Sequence, residues 1–335
     1  MPRLGPKWDD EFDVIWDSAT GFYRIWLIHL GRRYGMLQAM NGSSPTSAAT
    51  LADRLSLSSD AVGLWLDAAY SLGMVDRSSR GYSLSRGRAS LLADEDAVRF
   101  VGGMPSYLAL RSLDFERFDG FFRDGRAPKE QPHSGEAFKA GTVWDHTAFL
   151  RLVLPNETGL QESLAGGARV LDVGAGAGGW SVKLAERFTA STFVGIDPDS
   201  RSISEGARRA QRLGLRNVIL VVGDAESMRF SGEFDVVYLG EVLSLVSSKE
   251  SVLGACSRAL KRGGSLVVCE GVVAKGRRSR VKENQLASAM QLDIALQGGR
   301  FLSKAELVGL IKRSGFGGVR FYDVGGGLCF LVARK

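Results

Sequence analysis

Hydrophobic positions fall into two regimes along the chain. Through the second half, short apolar runs alternate with amphipathic stretches. Val170, Leu171 and Val173 predict a buried strand, and residues 180–188 predict a helix behind it. Further strands are predicted at 191–197, 217–222, within 232–243 (Asp235 leading, Gly240 and Glu241 at its carboxyl end) and 265–270, with helices starting near Ser200 and covering 283–296 and 303–314. Residues 318–324 and 327–333 predict a terminal antiparallel hairpin. Strand alternating with helix implies an α/β fold with a mostly parallel sheet, here seven-stranded with one reversed strand.

The first half has helical spacing instead. Residues 8–40 carry Phe12, Ile15, Trp16, Ala19, Phe22, Tyr23, Trp26, Leu27 and Leu30 in a stripe wider than one intramolecular contact needs. Large aromatics concentrate where two subunits bury each other, so this stripe is expected to form a homodimer interface; the alternative is a core helix. After a break at 41–45, a short helix at 47–55, a turn and a second helix at 60–72 follow. Val62, Leu66 and Ala69 point inward, and Gly73 ends the second helix. Residues 74–84 form a hairpin turning at 78–81, so this part resembles a winged helix. As a DNA reader, the second helix would need Arg, Lys, Asn or Gln, and residues 60–72 contain none. Arg77, Arg80, Arg86 and Arg88 of the wing are left to contact phosphates. Nucleic acid is therefore not the expected partner. Residues 100–164 are a helical connector interrupted by a Gly/Pro/Lys loop at 125–135.

Composition narrows the class. The chain has 335 residues, enough for two cores, and its 44% hydrophobic share is ordinary for a globular protein. The first residues lack the charged–apolar–small order of a signal peptide, and the apolar run at 25–30 is too short to span a bilayer. Cytoplasmic residence is the expectation. Cys256, Cys269 and Cys329 have neither zinc-site spacing nor a CxxC pair, and the three histidines are scattered, so no metal is expected. A net charge of +6 points only weakly to an acidic partner.

The chemistry starts at Gly174, Gly176, Gly178 and Gly179, which follow the first strand directly. Strand, glycine turn and helix make a nucleotide-type cradle: the turn is tight, the ligand approaches backbone, and the helix start offers free N–H groups. Gly174, Gly176 and Gly179 satisfy the GxGxxG spacing of NAD-linked enzymes. Asp172 argues against that reading, because a carboxylate there opposes a diphosphate and suits a cation. Asp197 ends the second strand, where ribose hydroxyls need an acceptor, and the alternative is that it caps the next helix.

Residues 170–179 resemble the first motif of class I S-adenosylmethionine (SAM) dependent methyltransferases. The strand-end acids at Asp197 and Asp224, the Asp235 to Glu241 strand and the 260–270 double-glycine segment extend that resemblance. The first half is similar, more loosely, to small-molecule O-methyltransferases with an N-terminal winged-helix dimerisation domain. The resemblance implies a Rossmann-like sheet and three regions: 1–98 for dimerisation, 99–165 as connector over the substrate pocket, and 166–335 for the cofactor. It implies SAM contacts at Asp172, Gly174, Gly176, Gly178, Asp197, Pro198, Asp224, Ala225, Tyr238 and Gly240. Tyr107, Phe118, Trp144 and His146 become pocket candidates.

One departure stands out. The resembled enzymes place a His–Asp pair just after the fourth strand, where this chain has Ser244 and Leu245. Serine is a poor base at neutral pH. Glu241 or His146 is left as the catalytic group, unless the acceptor is an amine or carbon needing no strong base. The bland reading of Glu241 is a helix-start acid. The basic run at 275–282 is either a solvated loop or an attractor for an anionic acceptor. The expected function is methyl transfer to a small organic acceptor; the alternative is a winged-helix regulator that binds SAM without turnover.

Overall fold

A computed structural model describes residues 6–335, with side chains from Asp10 onward. Residues 1–5, the start of the first expected region, lie outside the described residues. The chain divides into two compact units. The first takes the chain up to Leu113 together with Glu136–Thr147; the second takes Asp114–Gly135 and Ala148–Lys335. The connector 99–165 is thus shared between the units.

In the first unit, the stripe at 8–40 forms two helices rather than one, Pro6–Arg33 and Met36–Met40. Gly35, at φ 74°, breaks the run because left-handed backbone cannot continue a right-handed helix. Ala48–Leu55 starts on Ser47, whose hydroxyl accepts from Thr50 N, and Ser59–Ser71 starts on Ser58 in the same way. Strands β1 (Asp76–Ser78) and β2 (Gly81–Ser83) pair antiparallel as the wing. Leu37, Met40, Leu51, Leu66 and Ala69 fill the core. Trp65 donates its indole N–H to Leu27 O at 3.0 Å.

Arg88 is paired with Asp76 at 2.8 Å and Arg77 lies 3.5 Å from Asp67, so two of the wing arginines are committed within the unit. By contrast, every side chain of residues 10–19 is exposed, including Ile15 at 71% and Trp16 at 55%. Among the described residues no helix is long and apolar enough to cross a membrane.

The second unit is built on a seven-stranded sheet in the order β5-β4-β3-β6-β7-β9-β8. The strands are β3 (Arg169–Val173), β4 (Thr192–Asp197), β5 (Val218–Val222), β6 (Phe234–Gly240), β7 (Leu260–Gly271), β8 (Gly317–Gly325) and β9 (Leu328–Arg334). Only β9 is reversed. The double glycine forms a bulge inside β7 rather than a turn before it: Phe234 pairs with Leu260, but Val236 pairs with Ser265. Leu171, Val173, Val237, Leu239, Leu266, Val268 and Leu331 pack the interior.

The chain runs from β3 outward to β4 and β5, then returns to β6 and β7 on the other side. A parallel sheet that reverses order in this way opens a crevice at the carboxyl ends of the two central strands, β3 and β6.

Candidate active site

The glycine turn occupies that crevice. Gly174, Gly176 and Gly178 have φ of 72°, 52° and 65°, a region closed to most side chains. A side-chain carbon on Gly174 would also clash with Val242 Cγ2, so backbone and not side chain faces the crevice there. Gly178 caps the helix Gly179–Arg187 without any side-chain hydrogen bond, so no side chain competes for the N–H groups of its first turn. Asp197 Oδ2 accepts from Gly176 N at 2.9 Å, which draws the ends of β3 and β4 together.

Asp197 does not cap the following helix. That role belongs to Asp199, which accepts from Arg201 N and Ser202 N, and Asp197 Oδ1 accepts from Asp199 N at 2.8 Å. Asp197 stays half-buried at the crevice, and Pro198 beside it is exposed. On β5's side Asp224 is exposed and accepts from Glu226 N at 2.9 Å, while Ala225 is buried.

Asp172 sits beneath the turn, 2% exposed, with Oδ2 accepting from Ser181 Oγ at 2.6 Å. Burial pushes its carboxyl up to about 7; the Ser181 hydrogen bond works against that shift and the nearby Asp197 charge adds to it. A cationic ligand would restore its ionisation, which a diphosphate would oppose. Tyr238 contributes packing rather than an open wall: its ring stacks on Trp180 with centroids 4.0 Å apart and planes within 3°. Gly240 leaves room for the Tyr238 hydroxyl, which a side-chain carbon there would approach at 2.7 Å.

Where β6 ends, Glu241 adopts φ 55° and donates its N–H to Cys269 O at 2.8 Å. It does not start a helix; the next begins at Lys249. Beside it, Glu270 at the end of β7 is 2% exposed, and its Oε1 accepts from Leu243 N at 2.5 Å and Ser244 N at 3.4 Å. Burial raises the proton affinity of both carboxyls, and the Glu241 charge raises that of Glu270 further. Ser244 is buried, and its carbonyl accepts from Arg300 N at 2.8 Å.

The sheet ends therefore bring together the glycine turn, Asp172, Asp197, Gly240 and Glu241. His146 lies in Val143–Ala148, in the first unit, as do Tyr107, packed on Phe138, and Trp144, whose indole donates to Val98 O. Phe118 belongs to the second unit, within a cluster of Phe115, Phe121 and Phe122. Sequence reasoning missed Glu270, whose partners lie across β6, and His133, whose Nδ1 is 2.8 Å from Asp114 Oδ1. His133 sits in what reads as a spacer loop. Among the described residues, no group of three or more His, Cys, Asp or Glu side chains is placed to hold a metal ion.

A strand-end crevice with a glycine turn and two strand-end acids is the place where open α/β sheets take their ligands. Residues 164–311, which lie within the second unit, match the family model described as a methyltransferase domain. The chain is 30% identical over 187 residues to the sterol 24-C-methyltransferase erg6 of Schizosaccharomyces pombe, covering 55% of this chain and 46% of that one. It is 35% identical over 104 residues to the ubiquinone biosynthesis O-methyltransferase of a Bradyrhizobium species, covering 30% and 39%. It thus spans less than half the length of these curated relatives.

Solved structures extend the likeness of fold to the whole chain. Human N-acetylserotonin methyltransferase in complex with SAM has a TM-score of 0.72 at 18% identity, covering 100% of this chain and 99% of that one. An O-methyltransferase family protein from Burkholderia thailandensis has a TM-score of 0.63 at 16% identity, covering 99% of each.

Proposed function

We propose that the chain is a SAM-dependent methyltransferase acting on a small organic acceptor. The observation that carries this reading is the glycine turn bound to Asp197 above a buried, desolvated Asp172, inside the methyltransferase domain. The cofactor lies along Gly174, Gly176 and Gly178. The Asp197 carboxylate, next to Pro198, takes the ribose hydroxyls; Asp224 and Ala225 hold the base; Gly240 passes close to the reacting end.

When bound, the cofactor supplies a methyl group already activated by its sulfonium. The chain's own task is to align the acceptor and exclude water. Glu241, held in left-handed backbone at the end of β6, orients the acceptor. A second copy of this chain covers the exposed face of Pro6–Arg33, where Val14, Ile15, Trp16, Phe22 and Tyr23 leave apolar surface in water. The basic segment Gly276–Arg280 is exposed, with Lys275 paired to Glu306 at 2.9 Å, and its arginines draw an anionic acceptor.

Calorimetry tests the reading. S-adenosylhomocysteine is expected to bind and NAD is not; NAD binding instead would reject it. SAM binding should also release protons, because the cation favours ionised Asp172. Affinity should therefore rise between about pH 6 and pH 8, across the raised value near 7, and level off above it. A flat profile would remove Asp172 from the cofactor site. Replacing Glu241 by Gln should lower turnover about a hundredfold, measured as S-adenosylhomocysteine release once an acceptor is found by screening, while leaving S-adenosylhomocysteine affinity intact.

A further inference from the structure

The Ser244 and Leu245 positions leave the end of β6 without the His–Asp base of the resembled enzymes. The second unit nevertheless contains a His–Asp pair, drawn from its other segment. Asp114 is fully buried, and both its oxygens are turned to His133: Oδ1 lies 2.8 Å from Nδ1 and Oδ2 accepts the His133 backbone N–H at 3.3 Å. This places the ring proton on Nδ1 and presents Nε2 as the basic nitrogen. The His133 side chain is 40% exposed, so the ring is not sealed inside the core.

The loop carrying His133 is tied to the helix Lys282–Leu296 and the turn behind it. Gln131 Nε2 donates to Leu296 O at 3.0 Å, and a side-chain carbon on Gly298 would stand 3.7 Å from Ala127 Cβ. The same turn closes on the end of β6: Arg300 N–H donates to Ser244 O, and Gly299 has room for no side chain against that carbonyl. One short stretch, 296–300, therefore holds the His133 loop on one side and the Ser244 position on the other.

We propose that His133 is the general base of this enzyme, with Asp114 as its positioning residue, and that the acceptor carries an ionisable O–H or N–H. The inference rests on the methyltransferase reading above. In the reaction the acceptor heteroatom bonds to the methyl carbon while the carbon–sulfur bond breaks. That electron pair stays on sulfur and cancels its charge. The acceptor proton passes to His133 Nε2, and the resulting imidazolium is balanced by Asp114.

The test needs no acceptor. Histidine is labelled with nitrogen-15, and the three rings are assigned by NMR with single His→Asn variants. In the wild type the neutral His133 ring should carry its proton on Nδ1; Asp114→Ala should release it toward Nε2 and leave the His29 and His146 rings unchanged. A His133 ring unmoved by that change would overturn the dyad; if Asp114→Ala does not fold, Asp114→Asn takes its place, with a smaller change of the same kind. Sinefungin, with an amine where SAM has its methyl sulfonium, should move the His133 Nε2 resonance. S-adenosylhomocysteine, which lacks that charge, should not. If calorimetry shows both analogues bound and the His133 ring ignores sinefungin, the base assignment fails and the cofactor reading stands. If neither analogue binds, both fail.

Discussion

Replacing Gly174 by alanine is expected to cut S-adenosylhomocysteine affinity about a hundredfold or more, close to 3 kcal/mol. The cost comes from two sources at one position. At φ 72° an L-residue pays about 1–2 kcal/mol, and the new methyl meets Val242 Cγ2, buried behind the end of β6. Relief requires the turn to lift away from β6, and lifting it pulls on the paired N–H groups of Gly174 and Ala175, both donating to Ile196 O at 2.9 Å. Alanine at Gly176 would suffer the φ cost without a clash, since nothing stands near its missing side chain. Calorimetry on the two variants separates the terms. Equal losses would mean that backbone strain, not the approach of Val242, sets the shape of the turn.

Truncating Glu270 to alanine is expected to lower unfolding free energy by about 2–4 kcal/mol, whereas Glu270→Gln should be nearly neutral at pH 5 and stabilising at pH 8. Alanine leaves the Leu243 and Ser244 N–H groups buried without their acceptor. Glutamine keeps an acceptor oxygen and stands for the protonated acid. The sign follows from burial, which raises the folded-state proton affinity of Glu270. Above the ordinary carboxylate range, near pH ~4.3, the unfolded chain loses a proton that the native state keeps, so stability falls as pH rises until the native group also ionises. Denaturant titrations at pH 5, 6.5 and 8 measure both effects. A wild-type curve flat over this range, with Glu270→Gln no more stabilising at pH 8 than at pH 5, would show Glu270 ionised in the native state throughout.

Features held by neighbours in sequence were legible, and those held across the chain were not. Apolar runs of strand length, the glycine turn and the two short helices after the break at 41–45 are local, so spacing found them. The assignment of helix cap to Asp199 rather than Asp197 turns on a shift of two residues, which spacing cannot resolve. Gly35 inside an otherwise continuous stripe was outweighed by its apolar neighbours. The stack of the Tyr238 ring on Trp180, 58 residues away, is likewise invisible to spacing. His133 and Asp114 are 19 residues apart in a segment without periodicity, and Glu270 meets its amides from 27 and 26 residues away. Polar pairs of that kind exist only once the sheet and its returning loops have formed.

The division of the chain has a consequence for shuffling between relatives. The backbone passes from one unit to the other three times, at Leu113/Asp114, Gly135/Glu136 and Thr147/Ala148. The stretch recognised as a methyltransferase domain begins at residue 164, beyond all three passages. A cassette cut there and grafted onto another leader would forfeit His133, Asp114 and also Glu157, which accepts from Arg320 and Tyr322 on the outermost strand. Chimeras that keep the second unit whole therefore need their seam before Asp114, and a leader exchanged there has to accept Glu136–Thr147 from the other parent.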